Sequence, residues 1–439
     1  MNECKMPRLA ENKHPETISL SDKVRNMASQ CVKCGLCLPH CPTYILTEDE
    51  NESPRGRIEL LKAVAEEVLS PTPKVQKHLD HCLACRACEK VCPAKVQYGN
   101  LITHGRAMIL QHPDTHKTSS ILHRLFNTLA SHPKQLTLLH KILWLLEKSY
   151  LRPIATHLKI PQLLGLNKLN QFLPKVDKPT SLKSFYSALS EKKGSVGLFL
   201  GCFQQLADVE IHKASIKILT HLGYDVYIPK TQTCCGAISL HEGKTGAAQS
   251  LIQQNVSAFE MPFSVELDYI VSSATGCGTV LHGYPNYLNS DIAQDSRYHS
   301  FANKIVDIST LILNSTWPAN LKLKNFEKKI AVHSPCTLRN VWQTPEHAIQ
   351  LLQRIPNAKI HPIKTPYCCG AAGTYMFDFP EIAHDLMGAI LDELTMLQAD
   401  VIVTSNIGCA LHLKQSLKQK KFHIDVMHPI TLLSNLIFF

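Results

Sequence analysis

The sequence predicts an α+β multidomain chain, a helical domain followed by two homologous α/β cysteine-rich units. Three observations carry this. A twelve-residue cysteine pattern is written twice between Cys31 and Pro93. A set of four cysteines recurs in the second half at a nearly constant offset. In that half, short apolar runs alternate with amphipathic stretches of helix length, as layered α/β units require. The 439 residues leave room for two or three domains, and 44% hydrophobic against 19% charged residues can fill their cores.

Residues 1–20 read as a flexible polar leader. They hold no apolar run of signal-peptide type, and Cys4, alone there, is a bystander thiol. No stretch offers 18 consecutive apolar residues, so no membrane-spanning helix is expected. The chain has 17 cysteines. Unpaired cysteines at metal-ligand spacing, without a secretory signal, indicate the reducing cytoplasm.

Residues 21–104 carry the doubled pattern. Cys31, Cys34, Cys37 and Cys41-Pro42 form one copy, and Cys82, Cys85, Cys88 and Cys92-Pro93 the other. This is the ligand run of bacterial two-cluster ferredoxins. Cysteines at i, i+3 and i+6 on a tight loop aim three thiolates at one cubane, and the fourth crosses to the other cluster. The expected sets are Cys31, Cys34, Cys37 and Cys92 for the first [4Fe-4S], and Cys41, Cys82, Cys85 and Cys88 for the second. Pro42 and Pro93 turn the chain away after each crossing ligand. Gly35 lets backbone approach sulfide. Zinc would not explain a third cysteine and a terminal proline in both copies. Between the motifs, Ser53-Pro54 reads as a helix start, with Ile58, Leu61, Ala65 and Val68 on one face and Pro71 and Pro73 at its end. A second short helix is expected over 74–81. Lys33, Arg55, Arg57, Arg86 and Lys90 lie near the cluster loops. They either favour the reduced clusters or form a solvated basic face.

Residues 105–193 read as a basic helical linker, with 14 Lys/Arg against 4 Asp/Glu. That segment carries the whole net charge of +10. Leu136, Leu139, Leu143, Leu146 and Tyr150 form a stripe, with Trp144 beside it and Lys141 and Lys148 on the polar side. Pro153, Pro161, Pro174 and Pro179 punctuate the chain beyond that stripe. Such a helix either packs between domains or lies on an anionic membrane surface.

The two cysteine-rich units span 194–320 and 321–439. In the first, strands over 195–200, 224–228 and 268–272 lead to Cys202, Cys234-Cys235-Gly236 and Cys277, with helices over 204–222 and 241–259. In the second, strands over 329–333 and 400–404 flank Cys336, Cys368-Cys369-Gly370 and Cys409, with a helix over 381–397. Cys202, Cys234 and Cys277 recur as Cys336, Cys368 and Cys409, shifted by 134, 134 and 132 residues. Self-similarity of that kind marks two copies of one unit. Sites in open α/β sheets gather at the carboxyl ends of strands. Helix starts there also lower thiol pKa values. Vicinal cysteines pair poorly with each other, so a metal or cluster is the natural use. Iron–sulfur, zinc and a redox dithiol all remain open, with His412 placed for a Cys-x-x-His zinc pair. Gly243-Lys244-Thr245 lacks the earlier glycine of a phosphate loop. No Gly-x-Gly-x-x-Gly follows a strand, so no flavin or nicotinamide fingerprint is present. No nucleic-acid partner is expected.

The order of these parts resembles the iron–sulfur subunit of bacterial glycolate oxidase over nearly the whole chain. The Pro54-to-Arg57 spacer, Cys368-Cys369-Gly-Ala-Ala-Gly-Thr-Tyr375 and Asn406-Ile-Gly-Cys409-Ala-Leu-His-Leu413 are the closest phrases. The resemblance implies an electron-transfer subunit without a catalytic acid or base of its own. FAD would sit on a flavoprotein partner that oxidises a 2-hydroxy acid such as glycolate. Electrons would pass to a membrane acceptor such as quinone, on the cytoplasmic face of the inner membrane. Relatives with the same parts serve anaerobic glycerol-3-phosphate dehydrogenase, lactate oxidation and heterodisulfide reductase. In the last, the cysteine-rich domain closes with Cys-x-x-Cys around a noncubane cluster. Here Val280 and His412 stand at that position, which argues against heterodisulfide chemistry.

Overall fold

The computed structural model describes residues 19–112, 115, 132–163, 176, 178–260 and 265–438. The N-terminal domain is helical. Helices Leu20–Ala28, Pro54–Ala65, Pro73–Asp80 and Tyr98–Leu110 enclose Val24, Ile58, Leu61, Leu79, Leu101 and Ile102. Ser53 caps its helix as its sequence suggests, with Oγ accepting the Gly56 N–H at 3.0 Å. Only glycine fits there, because a Cβ on Gly56 would meet the Glu50 carbonyl oxygen at 1.9 Å. The helix stops at Ala65, short of the expected Pro71. Glu67 takes a left-handed conformation just beyond it, and Val68 leaves the stripe and is 79% exposed. Pro73 starts the next helix, capped by Thr72, and does not end the first. Helix Tyr98–Leu110 crosses the expected boundary at 104, since Met108 and Ile109 belong to the same core as Leu101.

Beyond it, helix Pro133–Lys148 follows, then Leu151–His157 and Ile160–Leu163. Leu136 is buried against the first cysteine-rich unit, with Leu139 beside it. The far end of the stripe is bare, with Tyr150 71% exposed. The apolar face is therefore packed at one end and open at the other. Pro174 lies outside the described residues. Within the expected helical linker there is also a strand, β1 (Phe185–Tyr186), which joins the first sheet.

The first unit continues with β2 (Gly194–Phe199), β3 (Tyr224–Tyr227), β4 (Tyr269–Ser272) and β5 (Ile305–Asp307). Its sheet runs β1-β3-β2-β4-β5, parallel except for β1 at the edge. The second unit holds β6 (Lys322–Leu323), β7 (Lys329–His333), β8 (Lys359–Pro362), β9 (Val401–Thr404), β10 (Asp425–Met427) and β11 (Ile437–Phe438). Its sheet runs β10-β9-β7-β8, all parallel, while β6 and β11 pair apart. Strands β2 to β5 and β7 to β10 thus share one order, as a duplicated unit should. Two expected helices are broken. The chain from Cys202 to His221 kinks at Asp208, and that from Ala237 to Glu260 turns at Gly243, which has φ +75°. The units share one core, in which Ile218 and Leu219 of the first meet Ile430 and Leu433 of the second.

That core and its edges bury neutral histidines. Burial pushes His212 and His428 down to about 3, and His104 to about 4. His428 Nδ1 accepts the Ile430 N–H at 3.0 Å, which requires the neutral ring. In the unfolded chain these rings titrate near 6.5. Stability is therefore full above about pH 6.5 and is lost as pH falls toward the folded values. At roughly 1.4 kcal/mol per unit per group, the three cost on the order of 6 kcal/mol by pH 5. Urea unfolding followed by circular dichroism at pH 7.5 and 5 is expected to show a steep loss of the midpoint; equal midpoints would contradict it.

Candidate metal centres

The two ferredoxin-type loops build their sites with matched backbone. Lys33 and Gly35 in the first loop, and Ala84 and Arg86 in the second, all have positive φ. Arg86 takes in the second loop the left-handed conformation that glycine takes in the first, at a cost of order 1 kcal/mol. The result is two cavities. One, of about 40 Å³, is lined by Cys31, Cys34, Cys37 and Cys92, with Cys88 at its wall. The other, of about 20 Å³, is lined by Cys41, Cys82, Cys85 and Cys88. Each gathers three thiols of one motif and the last thiol of the other. Four converging thiols at each hollow match the all-thiolate ligand set of a [4Fe-4S] cluster. Burial pushes the Cys37 thiol up to about 11, and Cys85 and Cys88 well above the ordinary range. Unliganded, those three thiols stay protonated, so a metal must displace their protons to bind.

Of the five basic residues near the loops, Arg57 differs from the rest. It is 1% exposed. Its guanidinium donates to Glu52 Oε2 at 2.6 Å, the His78 carbonyl at 2.7 Å and Thr43 Oγ1 at 3.1 Å, and lies 3.9 Å from Cys41 Sγ. Burial opposes its charge, but Cys82, Tyr98, Cys41 and Glu52 hold it protonated. The other oxygen of Glu52 meets Nδ1 of His78 at 2.7 Å and of His81 at 2.9 Å. Lys33 pairs with Glu59, Arg55 with Glu50 and Arg86 with Glu89, and Lys90 reaches the Arg339 carbonyl. Sequence reading pointed to Arg57 only as one of five. It missed Glu52, and Tyr98, whose hydroxyl donates to Cys82 Sγ at 3.7 Å.

The cysteine quartets sit at the carboxyl ends of β2 and β4, and of β7 and β9, where the strand order of each sheet reverses. Cys202 Sγ lies 3.5 Å from Cys234 Sγ, and Cys336 Sγ 3.7 Å from Cys368 Sγ. Donation from Cys202 holds Cys234 well below the ordinary thiol range, and donation from Cys336 does the same for Cys368. Cys235 and Cys369 are pushed up, first by their bonds to Cys234 and Cys368. Gly236 and Gly370 close both turns at positive φ. The two quartets are therefore built alike.

They differ in histidine. A ring nitrogen of His333 and the Sγ atoms of Cys369 and Cys409 all lie within 4.8 Å of one another, and all three residues are buried. Burial holds His333 down at about 4. His412, the zinc candidate of the sequence, is not one of that group, and it donates Nδ1–H to the Cys369 carbonyl at 2.7 Å. His333 ends β7, and no metal-ligand spacing in the sequence marks it.

The four sites adjoin in a row that is not the order of the sequence. Cys85 packs in one patch with Cys336, Cys368, Cys369 and Cys409, and its carbonyl accepts from Asn340 Nδ2 at 2.8 Å. Asn406 then spans the quartets. Its Oδ1 accepts the Gly276 N–H at 3.3 Å, next to Cys277, and its Nδ2 reaches Cys409 Sγ at 3.5 Å.

Family comparisons match the order of the domains along the chain. A 4Fe-4S dicluster domain matches residues 27–96, and a cysteine-rich domain matches 196–282 and again 330–414. A probable glycolate oxidase iron–sulfur subunit of Bacillus subtilis is 31% identical over 398 residues, 89% of each chain. The glycolate oxidase iron–sulfur subunit of Escherichia coli is 29% identical over 87% of this chain and 89% of its own. Lactate utilization protein A of Anoxybacillus flavithermus is 24% identical over 55% of this chain and 99% of its own. Doubled cluster loops, repeated quartets and full-length similarity together place the chain in the family of glycolate oxidase iron–sulfur subunits.

Proposed function

We propose that this chain relays electrons from a flavoprotein partner, which holds FAD and oxidises glycolate, to a membrane acceptor such as quinone. The observation that carries the reading is the row of four cysteine sites, running from an exposed loop at Cys34 to the largely buried first quartet. Cys31, Cys34, Cys37 and Cys92 hold one [4Fe-4S] cluster, and Cys41, Cys82, Cys85 and Cys88 the other. Cys202, Cys234, Cys235 and Cys277, and Cys336, Cys368, Cys369 and Cys409, hold two further iron–sulfur groups. When bound, such groups carry single electrons, as a two-electron donor and a distant acceptor require. The chain itself supplies the spacing, excludes water, and sets charge through Arg57. No residue is asked to move a substrate proton.

The first quartet is the acceptor end. A cavity of about 500 Å³ lies beside it, between helix Pro133–Lys148 and the first unit. That size suits a small molecule. Leu136, Leu200 and Val209 line it, with Gln205 one helical turn from Cys202. Buried His212 also lines it, and among the described residues neither ring nitrogen has a hydrogen-bond partner. The exposed Leu138, Ile142, Leu145, Leu151, Ile154 and Leu158 continue from the cavity wall, with Lys141 and Lys148 exposed among them. An apolar face edged by lysines suits peripheral contact with an anionic membrane, here the cytoplasmic face of the inner membrane. Among the described residues no helix is long and apolar enough to cross a membrane.

The test uses protein purified without oxygen, with its flavoprotein. Glycolate is expected to bleach the cluster absorbance, and added quinone to restore it. Bleaching by lactate and not glycolate would keep the relay and change the substrate, a second reading favoured by the match to lactate utilization protein A. Bleaching by glycerol 3-phosphate would point to the glycerol-3-phosphate enzymes in the same way. No bleaching with any of the three would overturn the relay.

A further inference from the structure

The two quartets occupy equivalent places in a duplicated fold, so a difference between them is informative. Strand β2 ends at Phe199, paired in register with Ser272 on β4. Strand β7 ends at His333, paired in register with Thr404 on β9. The shifts between these positions, 134 and 132 residues, equal those between the cysteines Cys202 and Cys336, and Cys277 and Cys409. His333 therefore stands where the first unit has a phenylalanine, and Thr404 where it has a serine.

Phe199 offers no ligand atom and is buried in the apolar core. His333, 4% exposed, has its ring nitrogen within 4.8 Å of two quartet thiols. Its Nδ1 lies 2.9 Å from Thr404 Oγ1. Metal-binding imidazoles usually donate their other N–H to an oxygen, which fixes the tautomer and turns a lone pair to the metal. Thr404 provides that oxygen for Nδ1, leaving Nε2 as the ligating atom. We propose that the second quartet is a mixed thiolate–imidazole site, with His333 Nε2 a further ligand to the iron–sulfur group held there.

The consequence is electronic. A neutral imidazole adds no negative charge where a thiolate would, and imidazole ligation raises cluster potentials. The site between Cys85 and the first quartet is thereby set apart from its duplicate. The inference rests on the reading that the second quartet holds iron and sulfur.

The experiment uses the full chain purified without oxygen and reduced chemically, so that it does not depend on the flavoprotein donor. Pulsed electron paramagnetic resonance is expected to show one strongly coupled nitrogen. His333→Ala is expected to lose that signal while keeping the eight irons expected for two [4Fe-4S] clusters. Thr404→Val, which keeps the imidazole but removes its partner, is expected to change the coupling. It also serves if His333→Ala does not fold. A wild-type protein with no strongly coupled nitrogen, or a signal unchanged in both variants, overturns the proposal. Zinc bound at the second quartet would also overturn it. Iron content unchanged in Cys368→Ala/Cys369→Ala removes the iron–sulfur reading of the quartet itself, and the imidazole proposal with it. Glycolate bleaching tests the relay separately.

Discussion

Cys85→Ala is expected to cut electron flow from the donor to quinone by roughly a hundredfold or more, and to lower iron content by about four per chain, one [4Fe-4S] cluster. No other ferredoxin-type cysteine combines its three properties. It lines the second cluster cavity, packs against the second quartet, and lends its carbonyl to Asn340. An alanine there removes a ligand at the step where the row passes from the helical domain to the α/β half. Cys34→Ala is expected to remove iron as well, but from the exposed site at the start of the row. Electrons injected chemically beyond that site should then still reach quinone in Cys34→Ala and fail to do so in Cys85→Ala. Stopped-flow absorbance with both variants makes the comparison, and full flow in Cys85→Ala would sink the relay.

Arg57→Met is the second large effect. The side chain fits the volume but leaves Glu52 buried with two histidines as its remaining partners. Breaking a buried ion pair on one side costs about 3–5 kcal/mol. Urea unfolding at pH 7.5 should show that loss, whereas Lys33→Met, which removes an exposed pair, should stay within roughly 1 kcal/mol. The same substitution removes a positive charge 3.9 Å from Cys41 Sγ. The cluster held there should become harder to reduce, which a redox titration reads directly. An unchanged potential with lowered stability would assign Arg57 a packing role alone.

What could be read from the sequence was local. The doubled cysteine pattern of the 4Fe-4S dicluster domain repeats within a dozen residues, and a helix start such as Ser53-Pro54 declares itself in two. The duplication was legible because four cysteines kept their spacing. Contacts between distant segments were not. Nothing near Asn406 announces Gly276, and nothing near Glu52 announces His81. Val68 matched the helical period, yet the helix ends before it because Glu67 leaves the helical conformation. The kink at Asp208 has no glycine or proline to signal it. His333 was in principle legible, since aligning the two copies sets it opposite Phe199.

The row of sites bears on how the chain is made. Synthesis runs from the N-terminus, so the helical domain leaves the ribosome before either cysteine-rich unit. The surface that covers Cys85, residues 336–409, is made some 250 residues later. Throughout that interval the inner face of the second cluster loop stands open to solvent and oxidants. Metal loading before the chain is finished would therefore meet an unprotected site. A truncation that stops after the first unit would keep both ferredoxin-type loops but uncover Cys85 of the second, and its cluster is expected to be lost faster in air than in the full chain.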